Sequence, residues 1–316
     1  MSSDPWARGL PMQLVECVAN ISEGRDAEVV QRVAESCSAA DQSWLLDVSS
    51  DVDHHRSVIT FAARPEAVLD ACLSLIGEAV RRIDLRRHQG VHPRIGAADV
   101  IPLVPLRGVL LDQCVTLARK LARRTAEAHR LPVYLYGAAA QRPDRRFLAS
   151  IRRGGFEGLS EEISAQAGRR PDFGPDRVHA SAGAVCIGAR PLLIAFNVYL
   201  EGGDVETARA IAARVRTRDG GLPGVQALGL HIAVRDQAQV SMNLYDFAQT
   251  SPRAAFDEVR RLARQRGADT HSSELVGLIP AAALAEGDAE HMILRDFTPS
   301  RVLETRVAEV ILAERP

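Results

Sequence analysis

One element order occurs twice along this chain, and it limits the possible folds more than any single residue does. Leu14–Asn20 reads as a short apolar strand and Ile21-Ser22-Glu23-Gly24 as a turn. Asp26–Ala40 has helical periodicity, with Asp26 placed to cap the free N–H groups of the first turn. Trp44–Val48 and the alternating Ser57–Ala63 are strands. Pro65 opens a helix to about Arg82, since proline suits a first helical turn, and Val100–Val104 is the next strand. The order then returns. Leu192–Leu200 is a strand, Asp204–Arg216 a helix capped by Asp204, Val225–Val234 and Gln239–Asp246 two strands, Pro252–Arg266 a helix and Leu275–Ile279 a strand. Each half reads β-α-β-β-α-β, the split unit of ferredoxin-like folds. The expected class is α+β: two ferredoxin-like (βαββαβ) subdomains, with a ligand cleft between them because pockets favour domain interfaces. The halves show no sequence identity, so the element order alone carries this expectation.

Between the halves lie a helix (Asp112–His129), a strand (Val133–Tyr136) and a mostly helical stretch (Phe147–Ala167). The turn-rich Arg169-Arg170-Pro171-Asp172-Phe173-Gly174-Pro175 marks the boundary. The expected organisation is a flexible tail over 1–12, an N-terminal subdomain over 13–180 and a C-terminal subdomain over 181–316. A chain of 316 residues fits this count. With 39 basic and 40 acidic residues the charges nearly cancel, so neither nucleic acid nor an anionic membrane is an expected partner. No apolar run reaches the roughly 18 residues that span a bilayer, and the N-terminus lacks the apolar stretch of a signal peptide. Cys17, Cys37, Cys72, Cys114 and Cys186 are odd in number and never form a CxxC pair. They read as small buried core residues in a reducing, cytoplasmic compartment.

Two stretches carry chemistry. His88-Gln89-Gly90-Val91-His92-Pro93-Arg94-Ile95-Gly96-Ala97-Ala98-Asp99 packs two His, an Arg and an Asp ahead of a buried strand. Two His four apart on a helix would share a face and suit zinc. Gly90 and Pro93 oppose a helix there, so no metal is expected. The second stretch, Asp47-Val48-Ser49-Ser50-Asp51-Val52-Asp53-His54-His55-Arg56, joins two strands and suits a pocket mouth as well as an ordinary hairpin loop. It lacks the Gly and terminal Glu of a calcium loop. No P-loop, GxSxG or papain-like cysteine signature occurs. By chemistry alone these residues suggest an α/β enzyme with a histidine site of unknown reaction.

Taken in order, eight segments resemble the glutamate formimidoyltransferase (formiminotransferase) family. Leu14–Arg25 resembles its opening VECVPNFSEG, and His55-Arg56-Ser57-Val58 its NR(S/T)V. His88–Asp99 resembles HxGEHPRMGAxDV, and Pro132–Gly137 resembles PVYLYG. Pro171–Pro175 matches PDFGP, and Gly188-Ala189-Arg190 with Ala195-Phe196-Asn197 matches GAR…AFN. Ala238–Asn243 matches AQVSxN, and Leu275–Pro280 matches VGLxP. Four positions depart: Ala19 stands for a proline, His55 for an asparagine, Val91 for a glutamate, and Ser49 where the mammalian enzymes are expected to be acidic.

The resemblance implies a stand-alone transferase, without the cyclodeaminase domain, that moves a formimino group between N-formimino-L-glutamate and N5 of tetrahydrofolate. This is a step of histidine degradation and one-carbon metabolism. It implies tetrahydrofolate as co-substrate, a glutamate derivative as the other small-molecule partner, and a homodimer. His92, in His-Pro-Arg, matches the catalytic histidine. The folate segment falls on Gly174, Pro175, Asp176, Arg177, Val178, His179, Ala180, Ser181, Ala182 and Gly183. Arg56, Arg94 and Arg190 are candidate carboxylate clamps, since a guanidinium fork matches a carboxylate, with His55 and His88 beside them. Transfer between two nitrogens passes through a carbon bearing three nitrogens. One amine loses a proton as it attacks and the other gains one as it leaves. An imidazole with pKa near ~6.5 can serve both steps. Two further readings are an enzyme of the same fold that closes a ring on 5-formyltetrahydrofolate with ATP, and a non-catalytic folate-binding protein.

Overall fold

The computed structural model describes residue 6 and residues 9–90, 92–232 and 235–314. Val91, one of the departures above, lies outside the described residues, as do 1–5, 7 and 8 of the expected tail. The remainder of that tail is not loose throughout. Leu10 is buried, and Arg107 donates to the carbonyls of Leu10 and Pro11.

The chain divides after Pro191. The first unit holds β1 (Leu14–Ile21), α1 (Ala27–Ser36), β2 (Ser43–Asp51), β3 (Arg56–Ala63), α2 (Val68–Arg82), β4 (Ala98–Arg107), α3 (Leu111–His129), β5 (Val133–Gly137), α4 (Leu148–Ile151), α5 (Gly155–Ala165) and β6 (Val185–Ala189). Its sheet runs β2-β3-β1-β4-β6-β5. The first four strands are antiparallel in the ferredoxin-like order, and β6 and β5 add in parallel. The expected boundary at 180 therefore moves. Val185–Ala189 hydrogen-bonds between β4 and β5, so residues 181–191 go with the first unit.

Local chemistry accounts for these elements. The Asp26 carboxylate accepts from the N–H groups of Glu28 and Val29. In α1 it is Val30, Val33 and Ala34 that are buried, the spacing of one helix face. Pro65 lies in a turn ahead of α2, which begins three residues later than expected. One sheet face meets α1, α2 and α3 over Ile59, Phe61, Leu75, Ile76, Ile101 and Leu103. On the other, α4 and α5 cover Tyr134, Tyr136 and Cys186 with Ile151, Leu159 and Ile163. All five cysteines are free and buried.

The second unit holds β7 (Ile194–Glu201), α6 (Val205–Val215), β8 (Val225–Ile232), β9 (Gln237–Leu244), α7 (Pro252–Arg264), β10 (Asp269–Val276), α8 (Asp288–His291) and α9 (Leu303–Ala313). Its sheet is antiparallel throughout, in the order β10-β7-β9-β8. That is again the ferredoxin-like order, so both expected βαββαβ units are present. Phe196, Val198, Ile211, Val240, Phe256 and Val259 form its core. The last strand is earlier than the apolar run Leu275–Ile279 suggests. Its buried positions include Thr270, Ser272 and Ser273, which hide it from an apolar template.

Candidate active site

Glu23 follows β1 and faces the start of α1. Its Oε1 accepts from the N–H groups of Gly24, Arg25 and Asp26 at 2.9, 2.8 and 3.0 Å, and lies 3.1 Å from Nε2 of His55. Burial opposes the charge, but the backbone donors and His55 outweigh it and hold the pKa below the usual carboxylate value. Gly24 is required here, because a Cβ would lie 2.3 Å from the carbonyl oxygen of Asp51.

His55 sits in the left-handed region at φ 49°. Its Nδ1 lies 3.2 Å from the carbonyl of Gln89. Both ring nitrogens thus face acceptors. The ring stacks on His88, with centroids 4.2 Å apart and planes within 6°. His88 accepts at Nδ1 from Arg94 Nε at 3.0 Å and donates from Nε2 to the carbonyl of His55 at 2.8 Å. Those partners fix it as a neutral tautomer with neither nitrogen free. Burial pulls its pKa below the ordinary imidazole value. Arg94 places its two terminal nitrogens on Glu157 of α5 at 2.9 and 2.7 Å. Its fork is thereby committed within the protein. Gly90 lets this loop press onto the turn after β2, where a Cβ would meet the His54 carbonyl oxygen at 2.4 Å.

His92 stands between these anchors. Its ring is half-buried, and Nδ1 donates to the carbonyl of Pro93 at 2.8 Å. That bond leaves Nε2 as the lone-pair nitrogen. The His54 ring lies 6.1 Å away and is itself held by Asp51 through Nδ1 at 2.9 Å. Burial, followed by the charges of Arg56 and Arg152, holds the His92 pKa well below the ordinary imidazole value. Its resting form is therefore neutral.

Beside it, Arg56 of β3 gives Nε to Asn20 Oδ1 at 2.9 Å and Nη1 to Asp99 Oδ2 at 2.8 Å. Arg152, just after α4, reaches the same Asp99 oxygen at 2.5 Å. Asp99 also accepts from the N–H of Ile95 at 2.9 Å. Its position follows from the sheet: β1 pairs Asn20 with Val100 and Ile21 with Ala98, so Asp99 is the extra residue of a bulge, a device that re-aims a side chain. Burial disfavours its carboxylate, but Arg152, Arg56 and the Ile95 N–H hold the pKa well below the usual range. Burial lowers Arg56 to about 10 despite Asp99, and the Arg152 charge adds to the fall.

The segment Gly174–Gly183 reaches this loop through backbone bonds. Leu85 N–H donates to Ser181 O at 2.8 Å, Ala97 N–H to Ala182 O at 2.9 Å and Ala184 N–H to Ile95 O at 2.9 Å. His179 and Gly183 exchange both backbone bonds, closing a tight turn. Gly183 has φ 69°, and a Cβ there would meet Ile95 O at 2.1 Å.

His55, Arg56, His88, His92 and Arg94 thus come together. Arg190 stands apart: it follows β6 and donates to its neighbour Pro191 at 3.0 Å, with no hydrogen bond to the His92 cluster among the described residues. Glu23, Asn20, Arg152 and Glu157 join the site without having been marked as candidates. Glu23 lies in a motif that reads as a turn. Arg152 lies about sixty residues from His92 in a helical stretch whose pattern gives no sign of function.

Comparison with known proteins extends these observations. The formiminotransferase domain's N-terminal subdomain matches residues 14–190, and the formiminotransferase domain matches residues 195–311. Glutamate formimidoyltransferase of Thermoplasma acidophilum is 43% identical over 298 residues, covering 94% of this chain and 98% of the relative. Glutamate formimidoyltransferase of Streptococcus pyogenes serotype M1 is 35% identical over 285 residues, covering 90% and 95%. Formimidoyltransferase-cyclodeaminase of Rattus norvegicus is 42% identical over 283 residues. The match takes in 88% of this chain and 52% of that protein, about half its length.

Proposed function

This chain belongs to the formiminotransferase family, and on that premise we propose that it is a glutamate formimidoyltransferase in which His92 is the acid–base residue. The reaction moves a formimino group between N-formimino-L-glutamate and tetrahydrofolate. The observation that carries the assignment is the state of His92: a neutral ring with its Nδ1 committed to Pro93, no hydrogen-bond partner on Nε2 among the described residues, and the charges of two guanidiniums acting on it.

Tetrahydrofolate, when bound, supplies the attacking nitrogen N5. The donor set suits such partners, because both substrates carry carboxylates and Arg56 and Arg152 together exceed Asp99 by one charge. His92 Nε2 takes the proton that the attacking nitrogen loses. The imidazolium returns it to the glutamate nitrogen as that group leaves. A substrate carboxylate near the guanidiniums offsets the charges that depress His92, bringing its pKa toward working pH. His88 holds the loop and takes no part in proton transfer. His55, pinned between Glu23 and Gln89, fixes the loop from its other side. The backbone turn Gly174–Gly183, stitched to residues 85–97, is the folate-binding segment in this reading.

The same reading places the protein in the cytoplasm as a homodimer acting in histidine degradation and one-carbon metabolism. In support, all five cysteines are free and buried, and no helix among the described residues is long and apolar enough to cross a membrane. A pair of assays tests the function. Purified protein with N-formimino-L-glutamate and tetrahydrofolate should yield 5-formiminotetrahydrofolate and glutamate. A second reaction, with 5-formyltetrahydrofolate and ATP, should yield nothing. Turnover only in the second would replace this reading with the ring-closing one.

A further inference from the structure

One carboxylate in the first unit carries two guanidiniums. Arg56 and Arg152 reach the same oxygen of Asp99, at 2.8 and 2.5 Å. The group therefore holds two positive charges against one negative. Asp99 is fully buried, and the side chains of Arg56 and Arg152 are only 10% and 12% exposed. A surplus charge at such depth is costly without a counter-ion. A second observation points the same way: Nε of Arg152 is buried and has no hydrogen-bond partner among the described residues. Arg145, in the same part of the chain, shows what a purely structural arginine looks like here. It pairs with Asp172 and donates to the carbonyls of Gly168 and Arg170.

Arg56 alone would balance Asp99, and it also bonds Asn20. Arg152 then adds one charge and one unsatisfied donor within electrostatic reach of the His92 ring, whose pKa it helps to depress. A carboxylate supplies what both lack: a negative charge and acceptor oxygens that fit a planar fork. We propose that Arg152 is a substrate-binding residue that, with Arg56, seats a carboxylate of the amino-acid substrate beside His92. This rests on the transferase reading above and adds the residue that orients the amino acid.

Calorimetric titration of L-glutamate into the full chain tests the seat without turnover. Arg152→Gln should weaken glutamate binding about tenfold or more, the scale of a lost hydrogen bond to a charged group, while 5-formyltetrahydrofolate affinity changes less than about threefold. Arg152→Lys keeps the charge but not the fork, and should recover part of the loss. If Arg152→Gln does not fold, Arg152→Lys decides: several-fold weaker glutamate binding with an unchanged melting temperature supports the seat. Equal glutamate affinity in a folded variant and the wild type overturns the proposal. So does a parallel fall in glutamate affinity, folate affinity and melting temperature, which marks a structural role. Turnover in the wild type with no effect of either variant defeats this inference alone. Wild-type protein that binds neither probe defeats the transferase reading with it.

Discussion

The two βαββαβ units share a strand order and differ in what is attached to it. In the second unit the four-stranded sheet stands alone, and its notable polar contact is simple. The Tyr199 hydroxyl donates to Glu274 at 2.6 Å, and Arg235 and Arg295 lie over the ring at 4.8 and 5.2 Å. In the first unit the sheet continues through β6 and β5, and its second face is covered by α4 and α5. That addition supplies Arg152, Glu157 and the turn His179–Gly183, all bonded to residues of the βαββαβ unit around His92. The difference teaches that the repeated fold makes the platform, and the segment inserted after β4 completes the site on one copy of it.

Asp99 offers the sharpest way to break this comparison. Asp99→Asn leaves two buried guanidiniums without a carboxylate, a loss of roughly 3–5 kcal/mol. Tyr199→Phe in the second unit removes one hydrogen bond to a carboxylate and should cost no more than about 1.5–3 kcal/mol. Urea unfolding of the full chain measures both. Equal losses would mean that the extra guanidinium changes little in the first unit.

Next in size is the seam between the insertion and the loop. Gly183→Ala forces a side chain into left-handed backbone and against Ile95 O. A cost of about 1–3 kcal/mol is expected, with His92-dependent turnover falling more than folding alone explains. Full activity with unchanged stability would show that the seam does not position the loop. The smallest effect belongs to Glu157→Gln. The Glu157 side chain is 65% exposed, and exposed ion pairs contribute about 0–1 kcal/mol. A larger loss would make the Arg94 fork a principal support of the loop.

Much of this was legible in the sequence where pattern and physics coincide. Asp26 and Asp204 cap helices because short oxygen-bearing side chains meet free N–H groups there. The alternation over β3 and the apolar run of β1 gave their strands. Val185–Ala189 escaped because five apolar residues ending at Gly188-Ala189 do not declare which sheet they join. Parallel pairing depends on β4 and β5, whose partner residues, such as Val100 for Cys186 and Val133 for Val185, lie far earlier in the chain. The last strand escaped because its buried residues are Thr and Ser. At the site, the loop His88–Asp99 stood out through its density of His, Arg and Asp. Charge balance did not, since that required knowing that a bulge turns Asp99 toward Arg56 and Arg152.

The central claim is that His92, and not His88, moves the proton, and the pH–rate profile of two variants tests it most directly. Free His92 is neutral at physiological pH, so the wild-type acid limb of kcat/KM should fall below about 6.5, the unperturbed imidazole value. Activity is lost as pH falls through that limb, because protonation removes the base. His92→Asn should lower kcat by ~100-fold or more, change folate affinity much less, and abolish the limb. His88→Asn should cost less and leave the limb in place, since both nitrogens of His88 are already committed. A His92→Asn enzyme that keeps its turnover and its acid limb, or a His88→Asn enzyme that loses both, would contradict the account.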